Sequence, residues 1–246
     1  LFRYGRGGTG SLNEDEEGLQ DYDIDISDYN SIALVPGGFK PPHRGHLDMV
    51  KSVANADRVL IIMGSGGKSP RKIGDRIVDF NMAANVWDMY LKDAGINNYE
   101  IVKAETGSTP IGKAFNILED MTVPGQTVLM LTSQKDAGRF GQKLQAYAPE
   151  GVDVKAVEAP TSTLQSGDEI SARFMRASIE NNNFEEFAKY VPDSSKDRAE
   201  EIFALLGGKK KVSEMILDIV ESLLDEAGYQ TSATKKAYMK NWRKMM

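Results

Sequence analysis

Short runs of apolar, mostly β-branched residues alternate with longer amphipathic stretches from residue 31 to about residue 160, and this alternation restricts the fold more than any other feature. Each run is long enough for one buried strand, and each amphipathic stretch is long enough for a helix. The sequence therefore predicts an α/β, Rossmann-like doubly wound parallel sheet of about five strands. The predicted strands are 32–35, 58–63, 100–103, 127–131 and 152–157, and the predicted helices lie near 46–56, 75–94, 111–119 and 138–147.

The two ends of the chain differ from this central region. Residues 1–30 carry eight acidic and two basic residues without apolar periodicity, which predicts an acidic, poorly structured arm. The predicted organisation is this arm, a core at 31–180 and a helical C-terminal extension at 181–246. In the extension, the apolar helix face from Val212 to Leu224 predicts packing against the core or against another subunit of a homo-oligomer or larger assembly. Helices are expected near 171–180, 183–190, 195–206, 211–227 and 232–245.

Composition excludes several classes of protein. The chain has no cysteine, which rules out disulfides, thiolate nucleophiles and Cys-ligated zinc. No apolar run is long enough to span a bilayer and no signal-peptide pattern is present, so we expect a cytoplasmic protein, or a component of a viral particle, without a membrane partner. The net charge of −6 gives no support for a nucleic-acid partner. Because residue 1 is leucine, we expect a fragment or a processed product.

The only two histidines, His43 and His46, lie together between the first predicted strand and the first predicted helix. Gly37 and Gly38 precede them and are expected to let the backbone turn sharply and approach a ligand closely. Unpaired N–H groups at the start of a helix attract anions, and ligands of doubly wound sheets bind beyond the carboxyl ends of the strands. Two imidazoles three residues apart could converge on one anion there. No third metal ligand accompanies them, so no metal site is predicted.

This segment resembles the His-x-Gly-His signature of the nucleotidyltransferase superfamily, and it reads Gly37-Gly38-Phe39-Lys40-Pro41-Pro42-His43-Arg44-Gly45-His46. The superfamily includes nicotinamide-mononucleotide and phosphopantetheine adenylyltransferases and the small cytidylyltransferases. Its second signature, Ile-Ser-x-Thr-x-x-Arg, is similar to residues 170–176, which match at Ile170, Ser171 and Arg176. Arg173 stands where the family has threonine. A third and weaker similarity is Lys68 followed by Asp75-Arg76 at a predicted helix start.

The resemblance implies transfer of an adenylyl or cytidylyl group from a nucleoside triphosphate to a phosphate-bearing small molecule, with release of pyrophosphate. It implies that His43 and His46 contact the triphosphate while Lys40 and Arg176 offset its charge. It also implies a nucleotide site built from Gly37, Gly38, Phe39, Gly45, Arg76 and Ser171. Mg²⁺ would arrive with the triphosphate.

Two questions stay open at this stage. The sequence selects neither ATP nor CTP, and it does not name the acceptor, which could be a mononucleotide, a phosphopantetheine, a sugar phosphate or a polyol phosphate. The replacement of threonine by Arg173 is also consistent with a second hypothesis. In that hypothesis the fold is catalytically weak or inactive and serves as a binding or assembly module of a larger complex, such as a viral particle.

Overall fold

The computed structural model describes residues 24–65, 70–132, 144–163, 167 and 170–209. Within these ranges the strands are β1 (Ser31–Gly37), β2 (Arg58–Gly64), β3 (Lys72–Ile73), β4 (Arg76–Ile77), β5 (Tyr99–Ala104), β6 (Thr127–Thr132) and β7 (Asp153–Glu158). Five of them form one sheet in the order β5-β2-β1-β6-β7, in which every neighbouring pair is parallel. The predicted Rossmann-like parallel sheet is therefore confirmed.

Helices cover both faces of this sheet. The helices in the described residues are α1 (Arg44–Lys51), α2 (Phe80–Asp93), α3 (Pro110–Asp120), α4 (Ala172–Glu180), α5 (Phe184–Ala188) and α6 (Ala199–Leu205), with short 3₁₀ turns at Leu144–Tyr147 and Asp193–Arg198. Polar residues begin four of them, because a side-chain oxygen of Asp79, Thr109, Ser171 or Asn183 accepts a hydrogen bond from a backbone N–H of the first turn of α2, α3, α4 or α5.

The core lies in two layers because side chains of a strand alternate between its faces. In β1, Ala33 and Val35 face the layer that holds α1, α2 and α4–α6, whereas Ile32 and Leu34 face the layer that holds α3. All four side chains are completely buried. A strand buried on both faces reads as a continuous apolar run, which is why residues 32–35 could be recognised from the sequence.

The order of the strands reverses at β1. The chain moves outward from β1 through β2 to β5, and then crosses back to β6 and β7 on the other side of β1. Ligands of doubly wound sheets bind in the crevice that such a reversal opens at the carboxyl ends of the strands. The loop of residues 38–43, which carries the first motif, leaves β1 at this point.

Several predicted boundaries are wrong. The helix expected from residue 75 begins at Phe80, because Gly74, at φ 56°, turns residues 72–77 into a β-hairpin and Asp79 provides the helix cap. The segment that resembled a family helix start at Asp75-Arg76 is therefore a hairpin. Helix α1 ends at Lys51 rather than near residue 56. The stretch expected to be helical at 195–206 is a 3₁₀ turn followed by α6.

The domain limits inferred from the sequence stay predictions. Ile26 is buried in the α3 layer, and Phe187 and Phe203 of the predicted extension share a hydrophobic cluster with Trp87 of α2. Several predictions fall on residues outside the described ranges. They concern most of the acidic arm, Lys68, most of the helix near 138–147, and the helices near 211–227 and 232–245 with the Val212–Leu224 face. No helix in the described ranges is long and apolar enough to cross a membrane.

Candidate functional site

The loop from β1 to α1 is held in shape by the ring of Phe39. Phe39 is buried, adopts a positive φ of 32°, and meets His46 and Trp87 edge to face at ring-centroid distances of 4.8 and 5.3 Å. A Cβ atom at Gly37 would lie 2.2 Å from Phe39 Cζ, so only glycine fits there. A Cβ atom at Gly38 would meet nothing within 4 Å. The steric requirement for glycine thus applies at position 37 and not at position 38. The sequence alone could not show which of the two glycines is required.

The two histidines are in direct contact. Their rings stack with centroids 3.5 Å apart and an angle of 19° between planes. His43 is the N-cap residue of α1, and its backbone N–H donates to Nδ1 of His46 at 3.2 Å. A neutral His46 ring that accepts at Nδ1 carries its proton on Nε2, which leaves Nε2–H as a donor. The structure therefore brings together the pair that the motif predicted.

Both imidazoles are held in the neutral form. Burial lowers the pKa of His43 to about 3. Burial, and to a smaller extent the proximity of His43, lowers the pKa of His46 well below its usual range. His43 Nδ1 is buried and has no hydrogen-bond partner among the described residues. An anion bound over the rings would favour their protonated forms, because an opposite charge nearby offsets the cost of desolvation.

The loop after β7 packs against the start of α1. Ser162 Oγ donates to Asp48 Oδ2 at 2.8 Å, and Arg44 Nη2 donates to the Thr163 carbonyl oxygen at 3.5 Å. A Cβ atom at Gly45 would lie 3.2 Å from Ser162 Cβ and 3.3 Å from the His43 ring. Gly45 thus leaves just enough space for this loop beside the histidine.

The second motif reaches the first through Arg176. Its Nη1 donates to the carbonyl oxygen of Lys40 at 2.7 Å, across 136 residues of sequence. Burial lowers the pKa of Arg176, and so do the positive charges of Arg71 and Arg173. Ser171 caps α4, and its Oγ accepts from the N–H of Arg173 at 3.2 Å. Three arginines therefore collect near the start of α4, where they favour an anion.

Lys40 is an unusual residue for the interior. Its side chain is only 7% exposed, and its Nζ has no hydrogen-bond partner among the described residues. Burial lowers its pKa, while Asp79 acts to raise it and Lys103 to lower it further. A buried ammonium without a partner is costly and is rarely kept without a role.

Arg76 is the predicted site residue that lies on the hairpin rather than on the loop after β1 or on α4. It lies on the exposed hairpin strand β4, and its Nη1 would be 3.2 Å from a Cβ atom at Gly207, beyond the end of α6. Its predicted role toward the nucleotide stays a prediction. Sequence reasoning missed Arg71 and Lys103 as neighbours of Arg176 and Lys40. For Lys103 a signal existed, since it ends a predicted strand at the edge of the sheet where ligands bind.

The described residues contain no group of three or more histidine, aspartate or glutamate side chains placed to hold a metal ion. Around the site, lysine and arginine side chains outnumber the carboxylates of Asp48 and Asp79, while burial keeps both imidazoles neutral. The arrangement is thus suited to hold an anion, with cationic groups on one side and imidazole N–H on the other.

No known protein-family model matches the sequence, and no curated protein does. The chain is similar to solved structures. One is a protein assigned as a nicotinate-nucleotide adenylyltransferase from Vibrio parahaemolyticus, with 17% identity and a TM-score of 0.46 over 70% of this chain and 99% of that one. Another is a bifunctional NMN adenylyltransferase/ADP ribose pyrophosphatase from Francisella tularensis, with 14% identity and a TM-score of 0.47 over 80% of this chain and 57% of that one.

A third is the NadR protein in complex with NR, with 16% identity and a TM-score of 0.44 over 70% of this chain and 46% of that one. The aligned part of this chain thus spans about half the length of the second and third proteins.

Proposed function

We propose that the chain is a nucleotidyltransferase that moves an adenylyl or cytidylyl group from a nucleoside triphosphate to a phosphate-bearing small molecule. The observation that carries the proposal is the stacked pair His43 and His46, which lies where the strand order reverses. The link from Arg176 to the Lys40 carbonyl ties that pair to the arginines at the start of α4. A neutral donor pair beside a cationic cluster suits a triphosphate whose charge must be offset in two places.

The proposed reaction is an in-line displacement at the α-phosphorus. An oxygen of the acceptor phosphate forms a bond to that phosphorus as the bond to the oxygen bridging toward the β-phosphorus breaks. The departing pyrophosphate keeps the electron pair, and nothing is oxidised or reduced. The acceptor phosphate is already ionised at neutral pH, so no base has to remove a proton.

The residues then act by positioning and by charge stabilisation. The Nε2–H of His46 would donate to a non-bridging oxygen of the α-phosphate, and His43 would gain a partner in the same phosphate group. Arg71, Arg173 and Arg176 would offset the charge that builds up on the leaving pyrophosphate. In this scheme Arg173 supplies charge where the family has a hydroxyl group.

We also propose that Mg²⁺ accompanies the triphosphate, and that the protein works in the cytoplasm. Mg²⁺ usually keeps several waters and binds through phosphate oxygens and one or two carboxylates. Because no carboxylate cluster of the described residues suits it, the metal would be held by the nucleotide.

The direct test is pyrophosphate release. Each of ATP, CTP, GTP and UTP is combined, with Mg²⁺, with a mononucleotide, a phosphopantetheine, a sugar phosphate and a polyol phosphate. One triphosphate and one acceptor should give pyrophosphate and nucleotidylated acceptor in equal amounts. A folded protein that releases no pyrophosphate with any pair would contradict the proposal and favour the binding or assembly module.

Arg176→Lys provides the residue-level test. The variant keeps one positive charge but loses the planar fork that bonds the Lys40 carbonyl and grips phosphate, so kcat/KM should fall by about 100-fold. Arg58→Lys is the matched control, because Arg58 pairs with Glu100 at the amino end of β2, the edge of the sheet opposite the site. Equal activities of the two variants would remove Arg176 from the mechanism.

A further inference from the structure

The buried ammonium of Lys40 does not belong to the arginine cluster. Its carbonyl oxygen accepts from Arg176, but the charged groups that act most strongly on its Nζ are Asp79 and Lys103. The groups that act on Arg176 are Arg71 and Arg173 instead. Lys40 therefore lies between two groups of cations. Its backbone carbonyl contacts Arg176 of the arginine cluster, and its side chain lies near Lys103.

The position of Lys103 follows from the register of the sheet. Gly37, Met63 and Lys103 lie in one row across β1, β2 and β5, at the carboxyl ends of the strands. At the strand spacing of parallel sheets, the backbone of Lys103 lies roughly 10 Å from that of Gly37. Lys103 alternates with buried Val102, so its side chain leaves the sheet on the face that carries α2.

The start of α2 completes this second group. Lys103 Nζ lies 5.7 Å from the ring centroid of Phe80, the first residue of α2. Asp79 is occupied as the helix cap, since its Oδ1 accepts from the N–H of Met82 at 2.8 Å. Around Lys40, one carboxylate, that of Asp79, is thus set against the charges of two lysines, Lys40 and Lys103, and a positive charge is left over. Lys103 is exposed while Lys40 is buried, so an anion could reach the pair from the Lys103 side.

We infer that Lys40 and Lys103 form a phosphate subsite of their own, which holds the phosphomonoester group of the acceptor beside the start of α2. The identification of the ligand as the acceptor rests on the proposed function. The binding of a phosphate dianion at this subsite is independent of it. The buried ammonium of Lys40, which has no hydrogen-bond partner among the described residues, gains one in this way. The triphosphate then occupies the histidine pair and the arginine cluster, and the two ligands meet at the loop that carries Lys40.

The test measures the binding of two probes by calorimetry, inorganic phosphate and methyl phosphate. Both are titrated into the full chain, alone and with Mg²⁺ and an ATP analogue that has a methylene group between the α- and β-phosphorus atoms. Lys103→Gln removes the exposed charge at little risk to folding. Lys155→Gln, in which an exposed lysine of β7 is changed, is the matched control.

Methyl phosphate should bind the wild type and the Lys155→Gln variant equally, and Lys103→Gln at least 10-fold more weakly. The affinity for the ATP analogue should differ by less than twofold between the wild type and either of these two variants. Lys40→Met should unfold at the same or a higher temperature than the wild type, because it removes a buried charge that has no partner among the described residues, and should lose methyl phosphate binding.

The inference is overturned if Lys103→Gln binds methyl phosphate with the affinity of the wild type. It is also overturned if the affinities of this variant for methyl phosphate and for the ATP analogue fall by the same factor. Binding of inorganic phosphate alone, without methyl phosphate, would overturn the assignment to an acceptor. Binding of methyl phosphate that depends on Lys103, in a protein that binds no ATP analogue, would support the subsite and contradict the proposed function.

Discussion

At the scale of single residues, the site is defined by two buried side chains that lack a hydrogen-bond partner within the part of the chain that the structure describes. His43 Nδ1 and Lys40 Nζ are both buried and unpaired among the described residues. Each such group costs free energy in the unliganded protein, on the order of 1 to 3 kcal/mol for a neutral group and more for a charge. A ligand that supplies the missing partners recovers that cost, which is a reason to expect tight binding of a phosphate anion.

The His43 imidazole should make stability depend on pH. Its pKa is about 3 in the folded protein against about 6.5 when unfolded, so between these values the unfolded state binds more protons. Stability should therefore fall as the pH drops below 6.5, by about 2 to 3 kcal/mol at pH 4.5 from this group. Urea unfolding of wild type and His43→Asn between pH 4.5 and 7.5 measures the difference.

His43→Asn is the suitable variant because asparagine is a favoured N-cap residue and should preserve the start of α1. Its stability should decline less steeply with falling pH than that of the wild type. Parallel curves for the two proteins would show that the ring is not held neutral by the fold.

At the scale of elements, the loop between β1 and α1 and the start of α4 act as one unit. The loop depends on the packing of Phe39 into the space above Gly37, and α4 depends on the Ser171 cap. The bond from Arg176 to the Lys40 carbonyl joins the two elements. A change that shifts either element should therefore alter the geometry of the whole site.

The two glycines of the loop should respond differently to the same substitution. Gly37→Ala would place a methyl group 2.2 Å from Phe39 Cζ, so the ring or the backbone must move, and we expect a loss of about 1 to 3 kcal/mol. Gly38→Ala, with nothing within 4 Å, should change the free energy of unfolding by less than about 0.5 kcal/mol. Urea unfolding of both variants would refute this packing if the losses were equal.

Helix caps test whether α4 belongs to the site. Ser171→Ala should cost about 1 kcal/mol of stability and also weaken triphosphate binding, because Ser171 begins the helix that carries Arg173 and Arg176. Asn183 lies beyond the far end of α4, and its Oδ1 accepts from the N–H of Glu186 at the start of α5. Asn183→Ala therefore removes the cap of α5. It should lower stability by a similar amount and leave triphosphate affinity unchanged. Equal losses of affinity would mean that stability alone governs binding.

At the scale of the whole molecule, the sheet could be predicted because buried parallel strands leave continuous apolar runs such as 58–63 and 127–131. The first motif could be placed because it follows the central strand. The hairpin at 72–77 was missed, since its strands have two residues each and carry no apolar run. Arg71 was missed as a neighbour of Arg176 because residues so far apart in sequence come together only in the folded chain.

The central claim is that the loop after β1 binds a nucleoside triphosphate through His43 and His46. The most direct measurement is thermal unfolding with ATP, CTP, GTP and UTP in turn, each with Mg²⁺, on wild type and His43→Asn. A triphosphate at about 100 times its dissociation constant should stabilise the wild type by about 2.7 kcal/mol, which raises Tm by about 5 to 10 °C. One triphosphate should give this shift in the wild type and a much smaller one in the variant. A wild-type Tm that no triphosphate moves, or an equal shift in both proteins, would contradict the claim.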